Sequence, residues 1–77
     1  MVAVKLLSDE NGIIRYLYQP ESDGEPGILI YDKERNIPQI EKLAEKDGES
    51  TFYRSHVFRL IRRNIESLPK ESVICWY

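Results

Sequence analysis

The 77 residues of this chain are enough for one small hydrophobic core, so we predict a single domain over residues 1–77. Hydrophobic residues make up 42% and charged residues 31% of the sequence, a balance that excludes a wholly disordered segment. No apolar run is long enough to cross a bilayer, and the first residues do not have the pattern of a secretory leader. Because Cys75 is the only cysteine, no internal disulfide can form, and we expect a cytoplasmic protein.

Charge is distributed unevenly along the chain, although the formal net charge is only -2. Residues 1–50 carry six basic and eleven acidic side chains, which sum to −5, and residues 51–77 carry five basic and two acidic ones, which sum to +3. The last third of the sequence is therefore a basic unit that follows an acidic one.

Three strands are predicted in the first part of the chain. Apolar residues alternate over residues 2–7, and the polar run that follows contains Asn11 and Gly12, a pair that favours a hairpin turn. Residues 13–19 are rich in β-branched and aromatic side chains, and residues 28–32 form a short apolar run after an acidic loop. These segments predict an antiparallel meander, followed by a turn in which Asn36 adopts a left-handed backbone conformation.

Residues 37–47 fit two secondary structures. Ile37, Ile40, Leu43 and Ala44 recur at helical spacing, which favours a short helix. Alternation from Ile40 to Ala44, directly after a turn, equally favours a fourth strand. The sequence leaves both alternatives open.

Residues 51–67 give the clearest helical pattern, because their apolar side chains recur three and four positions apart on one stripe. Ser50 or Thr51 is a suitable cap, and the helix is expected to end before Pro69. Residues 71–77, of which the last five are apolar, then predict a last strand with Cys75 buried in it. The predicted fold is α+β, an antiparallel meander sheet of four to five strands with the helix at about 51–67 packed on one face and a C-terminal strand.

A set of residues spread over nearly the whole chain resembles a family of small uncharacterised bacterial single-domain proteins with no assigned function. The residues that carry this resemblance are Tyr18, Pro20, Glu21, Pro26, Gly27, Tyr31, Asp32, Leu43, Ala44, Glu45, His56, Pro69, Trp76 and Tyr77. The resemblance implies a stand-alone bacterial domain and a strand at residues 37–45, and it implies no activity.

The strongest candidate site is a basic face of the predicted helix, formed by His56, Arg59, Arg62 and Arg63. His56, Arg59 and Arg63 are three and four residues apart and so line one ridge, which Arg62 flanks. Arginine side chains suit carboxylate or phosphate groups, so the face is a candidate site for an anionic partner. The alternative is an ordinary solvated helix face, in which Arg62 pairs with Glu66.

Catalytic chemistry is not predicted. One histidine and one cysteine allow a single pair of nucleophile and base, and the cysteine is expected to be buried. No zinc or phosphate-loop spacing occurs, so we expect no catalytic, metal-binding or cofactor-binding residues and no cofactor.

The sequence therefore predicts a non-catalytic protein-interaction module of a bacterial cytosol, which binds a protein partner through the basic helix face or pairs with a second copy through a sheet edge. The alternative is a small nucleic-acid-binding protein that uses the same face together with Tyr16, Tyr18 and Tyr31 as a stacking platform. The net acidic charge makes nucleic acid the less favoured partner. No membrane association is expected.

Overall fold

A computed structural model of the chain describes residues 1–21, 24–47 and 52–75. These residues form one helix and five strands, which we number in chain order. The elements are β1 Val2–Glu10, β2 Ile13–Pro20, β3 Gly27–Asp32, β4 Ile37–Lys42, α1 Phe52–Arg63 and β5 Glu71–Ile74.

The five strands form one antiparallel sheet in the order β4-β3-β2-β1-β5, with α1 packed on one face. Strands β1 to β4 follow one another as the predicted meander, and β5 returns after the helix to pair with β1. The prediction of an α+β fold with a C-terminal strand in the sheet is confirmed.

The two turns that the sequence marked have the predicted backbone. Asn11 and Gly12 have φ angles of 54° and 78°, and two positive values in succession are the requirement of the tight hairpin turn that joins β1 to β2. Asn36, before β4, has a φ of 59°, as expected of a left-handed asparagine. Short polar side chains therefore set the direction of the chain at both ends of the meander.

The ambiguous segment at residues 37–47 begins as a strand, because Ile37–Lys42 pairs with β3. Ladder hydrogen bonds to a strand already present outweigh the helical spacing of the apolar residues. The register shifts between Ile28 and Leu29, which pair with Lys42 and Ile40, so Glu41 lies in a bulge. All residues of β4 are exposed.

The helix ends at Arg63 and not near residue 67 as predicted. The amide side chain of Asn64 donates to the carbonyl of Leu60 at 2.8 Å, and the backbone N–H of Asn64 is shared between the carbonyls of Leu60 and Ile61. An asparagine that bonds to the preceding turn in this way competes with further helix formation, which explains the early end. The predicted cap at Ser50 or Thr51 lies outside the described residues.

Two strand ends also differ from the predictions. β1 continues through the polar residues to Glu10, past an irregularity after Leu6, because β2 supplies a pairing partner along its whole length. β5 ends at Ile74, and the prediction that Cys75 is buried is wrong, since its side chain is exposed. The part of the last predicted strand at residues 76–77 lies outside the described residues.

The hydrophobic core lies between α1 and the sheet. Val57 and Ile61 are fully buried on the inner side of the helix, and they face alternate residues of the first three strands. The buried residues of the strands are Val2, Val4, Ile14, Tyr16, Tyr18, Leu29 and Tyr31. No helix in the described ranges is long and apolar enough to cross a membrane.

Candidate protein-interaction surface

Helix α1 presents the predicted basic residues on the side away from the core. Because Val57 and Ile61 are buried against the sheet, the rotation of the helix is fixed, and Arg59, Arg62 and Arg63 are exposed. His56, one residue before Val57, is half-buried. The four residues thus lie on the outer side of the helix, from its middle to its last turn.

Two shallow grooves divide this surface. The first, which we call the β5 groove, has a volume of about 320 Å³ and lies between α1 and the end of β5. Its basic wall comes from the helix, and its floor is partly apolar. The lining residues are His56, Arg59, Leu60, Arg63, Asn64, Ile74 and Cys75.

The second groove, which we call the arginine groove, has a volume of about 400 Å³ and is lined by Ser55, Phe58, Arg59, Arg62 and Arg63. The guanidinium carbon of Arg62 also lies 5.9 Å from the centroid of the Tyr31 ring, within cation–π range. Arg62 is thereby held toward β3. Arg59 and Arg63 line both grooves. His56 lines the β5 groove and Arg62 lines the arginine groove, so these two residues of the predicted face lie at different grooves.

In the part of the chain that the structure describes, the three arginines of this face lack nearby carboxylates, in contrast to other cations. Within the described ranges, no carboxylate lies within 4.0 Å of the guanidinium of Arg59, Arg62 or Arg63. The predicted pair of Arg62 with Glu66 is not formed. Cations elsewhere do form ion pairs, namely Arg15 with Glu41, Lys33 with Asp9, Lys42 with Glu25 and Arg54 with Asp47. Within the described residues, the positive charge of these three arginines is therefore not neutralised by a neighbouring carboxylate.

Arg54, also on α1, is directed inward and does not belong to this face. Its Nε lies 2.9 Å from Oδ2 of Asp47, although the geometry of the contact is not that of a hydrogen bond. Asp47 is 1% exposed and also accepts a hydrogen bond of 2.7 Å from the Tyr18 hydroxyl. No local pattern in the sequence indicates that a tyrosine two strands away would bury Asp47.

Burial raises the pKa of Tyr18 to about 12, and the hydrogen bond to Asp47 acts in the same direction. The Tyr18 hydroxyl in turn accepts a hydrogen bond of 3.1 Å from the backbone N–H of Ala44. A protonated phenol is needed to donate to Asp47, so the network holds Tyr18 in its neutral form. Its role is to attach the segment before α1 to the sheet.

The proposed stacking platform for nucleic acid is wrong. Tyr16 and Tyr18 are fully buried and Tyr31 is 2% exposed, because all three lie on the sheet face that α1 covers. Bases need an exposed ring face to stack on, so these side chains are unavailable.

The single histidine and the single cysteine lie at the same groove. His56 stands on its helix wall and Cys75 at the end of β5, and a nucleophile and base would need a hydrogen bond between them. In the described part of the chain, no three His, Cys, Asp or Glu side chains are grouped closely enough to hold a metal ion.

Comparison of the chain with protein-family models, with curated proteins and with solved structures finds no match.

Proposed function

We propose that the protein is a non-catalytic interaction module that binds an acidic surface of a partner protein through the basic face of α1. The observation that carries the proposal is the arrangement of Arg59, Arg62 and Arg63, which are exposed and have no carboxylate partner within the described ranges. Arginine is enriched among the residues that contribute most to protein interfaces, because its planar donors suit carboxylates and its stem packs on apolar surface.

The two grooves support a protein partner in particular. A guanidinium beside an apolar floor, as at Leu60 and Ile74, offers both charge and hydrophobic contact, which is the usual composition of a protein interface. Nucleic acid is less well supported, since the chain is net acidic and its sheet tyrosines are buried. The lone cysteine and the family resemblance support a place in a bacterial cytoplasm.

The test is affinity capture from a nuclease-treated bacterial lysate. Wild-type protein is compared with an Arg59→Glu, Arg63→Glu double variant and with an Arg35→Glu, Lys46→Glu double variant. The control makes the same change in net charge at two exposed residues outside the basic face. Each captured protein is then purified, and its dissociation constant is measured against all three proteins.

We expect the Arg59, Arg63 variant to bind the captured protein at least about tenfold more weakly and the control to bind it normally. Equal affinities for wild type and the Arg59, Arg63 variant would contradict the proposal. Recovery of nucleic acid alone from an untreated lysate, with release by salt, would favour nucleic-acid binding instead.

A further inference from the structure

The two edges of the sheet differ in the backbone N–H and C=O groups that they present to another chain. β4 and β5 are the edge strands, and within the described ranges each pairs on one side only. An edge strand with free N–H and C=O groups can accept a further strand from another chain. The direction of those groups follows from the ladder, because successive residues of an antiparallel strand point alternately to either side.

The outer side of β4 is poorly suited to accept a strand. The N–H of Lys33 donates to the carbonyl of Gly12, the residue directly before β2. By alternation, the backbone N–H and C=O groups of Tyr31 also point toward β2, and those of Ile30 point toward β4. Ile30 pairs with Gln39, so the backbone groups of Gln39 point toward β3. The backbone of the next residue, Pro38, therefore faces the outer side of the sheet. Proline has no N–H to donate, and the bulge at Glu41 interrupts the remainder of the edge.

The outer side of β5 has neither obstacle. The N–H of Leu6 bonds to the carbonyl of Lys70 at 2.8 Å, so the backbone of Lys70 points toward β1. By alternation, the backbone groups of Ser72 also point toward β1, while Glu71 and Val73 direct their N–H and C=O groups outward. β5 therefore presents the backbone donors and acceptors of Glu71 and Val73 at its outer side, and the Val73 side chain is 57% exposed.

The β5 groove lies beside this edge, on the helix side of the sheet. Ile74 pairs with Val2, whose side chain is in the core, so Ile74 faces α1 and forms part of the groove floor. In a strand added to β5, every second side chain would point to the same side, toward the wall formed by His56, Arg59 and Arg63. The other side chains would lie next to Val73.

We propose that β5 accepts an extended acidic segment of a partner protein as a sixth strand, with carboxylates at alternate positions directed toward Arg59 and Arg63. This inference rests on the proposed function and names the kind of partner that the basic face binds. Backbone hydrogen bonds would supply part of the affinity, and the groove would supply the selection for acidic side chains.

A second copy of the chain is a less suitable occupant than an acidic segment. The helix-facing side chains of its own β5 are Ser72 and Ile74, which carry no negative charge. A twofold pairing of two β5 strands would also bring two β5 grooves to one junction and repeat Arg63 on both sides of it. Like charges at that junction oppose the dimer.

The probe for the test is a fluorescent octapeptide of alternating Glu and Val, and binding is measured by anisotropy. We expect saturable binding, and we expect a peptide with Gln in place of Glu to bind at least about tenfold more weakly. No binding of the Glu-Val peptide at about 1 mM, or equal binding of the Gln peptide, would overturn the proposal.

Two further peptides test strand addition itself, one N-methylated at the Val residues and one at the Glu residues. Only one of these two rows of N–H groups points toward β5 in a given strand orientation. We therefore expect one N-methylated peptide to lose binding and the other to keep it. An equal effect of both modifications would contradict the addition of a strand.

Amide hydrogen exchange locates the bound peptide. The N–H groups of Glu71 and Val73 should exchange more slowly when the Glu-Val peptide is present, whereas those of Ser72 and Ile74, already directed to β1, should be unchanged. Val73→Pro removes one outward N–H without removing a bond to β1, and it should weaken peptide binding at least about tenfold. Circular dichroism checks that this variant is folded.

The outcomes separate this inference from the proposed function. If Arg59→Glu, Arg63→Glu weakens peptide binding but exchange at Glu71 and Val73 does not change, the basic face binds acidic partners and the sixth strand is wrong. If neither the arginine variant nor the edge variant alters binding of the peptide or of captured proteins, both proposals fail. A wild-type dimer that Val73→Pro converts to a monomer would assign the edge to a second copy and overturn the inference.

Discussion

The hydroxyl of Tyr18 lies 2.7 Å from Oδ2 of Asp47, and this one contact joins the middle of the sheet to the segment that leads into α1. Both side chains are buried. Because Arg54 in the first part of α1 lies against the same carboxylate, the contact also helps to fix where the helix begins relative to β2. The position of the basic face thus depends on a buried polar group far from it.

Removal of this network should lower stability by unequal amounts. We expect Tyr18→Phe to reduce the free energy of unfolding by about 2 kcal/mol, since it leaves Asp47 and the N–H of Ala44 without this hydroxyl. Asp47→Ala should cost about 3 kcal/mol, because the cation of Arg54 loses a buried carboxylate. Urea unfolding of the two variants measures both losses of free energy. Tyr31→Phe is the matched control, since its hydroxyl makes no described hydrogen bond, and a loss as large as that of Tyr18→Phe would contradict the assignment.

The raised pKa of Tyr18 makes stability depend on pH in the alkaline range. A group whose pKa is higher in the folded state stabilises that state below its unfolded pKa and ceases to do so as pH rises through the folded value. For Tyr18 this range runs from 10.0 to about 12. We expect the difference in free energy of unfolding between wild type and Tyr18→Phe to narrow across it. A difference that stays constant over the same range would show that Tyr18 ionises normally.

Gly27 is required for a close approach and not for backbone freedom. A Cβ at this position would lie 2.5 Å from both the Ala44 nitrogen and the Lys42 carbonyl oxygen, and closer still to the Tyr18 ring. We expect Gly27→Ala to cost at least about 2 kcal/mol, a decrease in Tm of about 10 °C for a domain of this size.

The control for Gly27→Ala is Gly12→Ala in the β1–β2 turn. Gly12 has a φ of +78°, but the nearest atoms that a Cβ there would meet belong to the Glu34 side chain, at an ordinary contact distance of 3.5 Å. Gly12→Ala should lower the free energy of unfolding by about 1–2 kcal/mol, from backbone strain alone. Differential scanning calorimetry compares the two variants, and a smaller loss at Gly27 than at Gly12 would contradict the steric argument.

Glu21 should stabilise the protein above its normal pKa and lose that effect in acid. The hydrogen bond from the Tyr53 hydroxyl, at 2.9 Å, is the main reason that the pKa of Glu21 is lowered, with a second contribution from the Met1 amino group. A carboxylate with a lowered pKa stabilises the folded state above the unfolded value, here 4.5, and the effect disappears as pH falls through the folded value. Urea midpoints of wild type and Glu21→Gln should therefore converge below pH 4.5. Midpoints that stay equally far apart in acid would show that the carboxylate is not responsible.

The sequence was sufficient where a local pattern and the tertiary structure favour the same element. Asn11 and Gly12 marked a turn, and the stripe that contains Val57 and Ile61 marked a helix. At residues 37–42 the helical spacing and the strand pattern conflicted, and only pairing with β3 resolves the conflict. Propensity alone cannot contain that information, because the partner strand is distant in sequence.

The candidate site was partly predictable for the same reason. Helical spacing places Arg59 and Arg63 on one ridge, but it cannot show that β5 returns beside them and makes a groove. Nor could it show that Arg62 turns toward the Tyr31 ring or that the tyrosines face the core. Each of these features depends on which face of the sheet the helix covers, and that choice requires the whole fold.

The pairing of β5 with β1 has a consequence for how the molecule folds. The β1–β2 hairpin closes a short loop, whereas residues Ala3 and Val73, which pair between β1 and β5, are almost a full chain length apart. Closure of so long a loop is entropically costly, so we expect β5 to dock late in folding, after the meander has formed. The β5 groove comes into existence only at that step. Binding at this groove would therefore be a property of completed molecules, and partially folded chains would not compete for the partner.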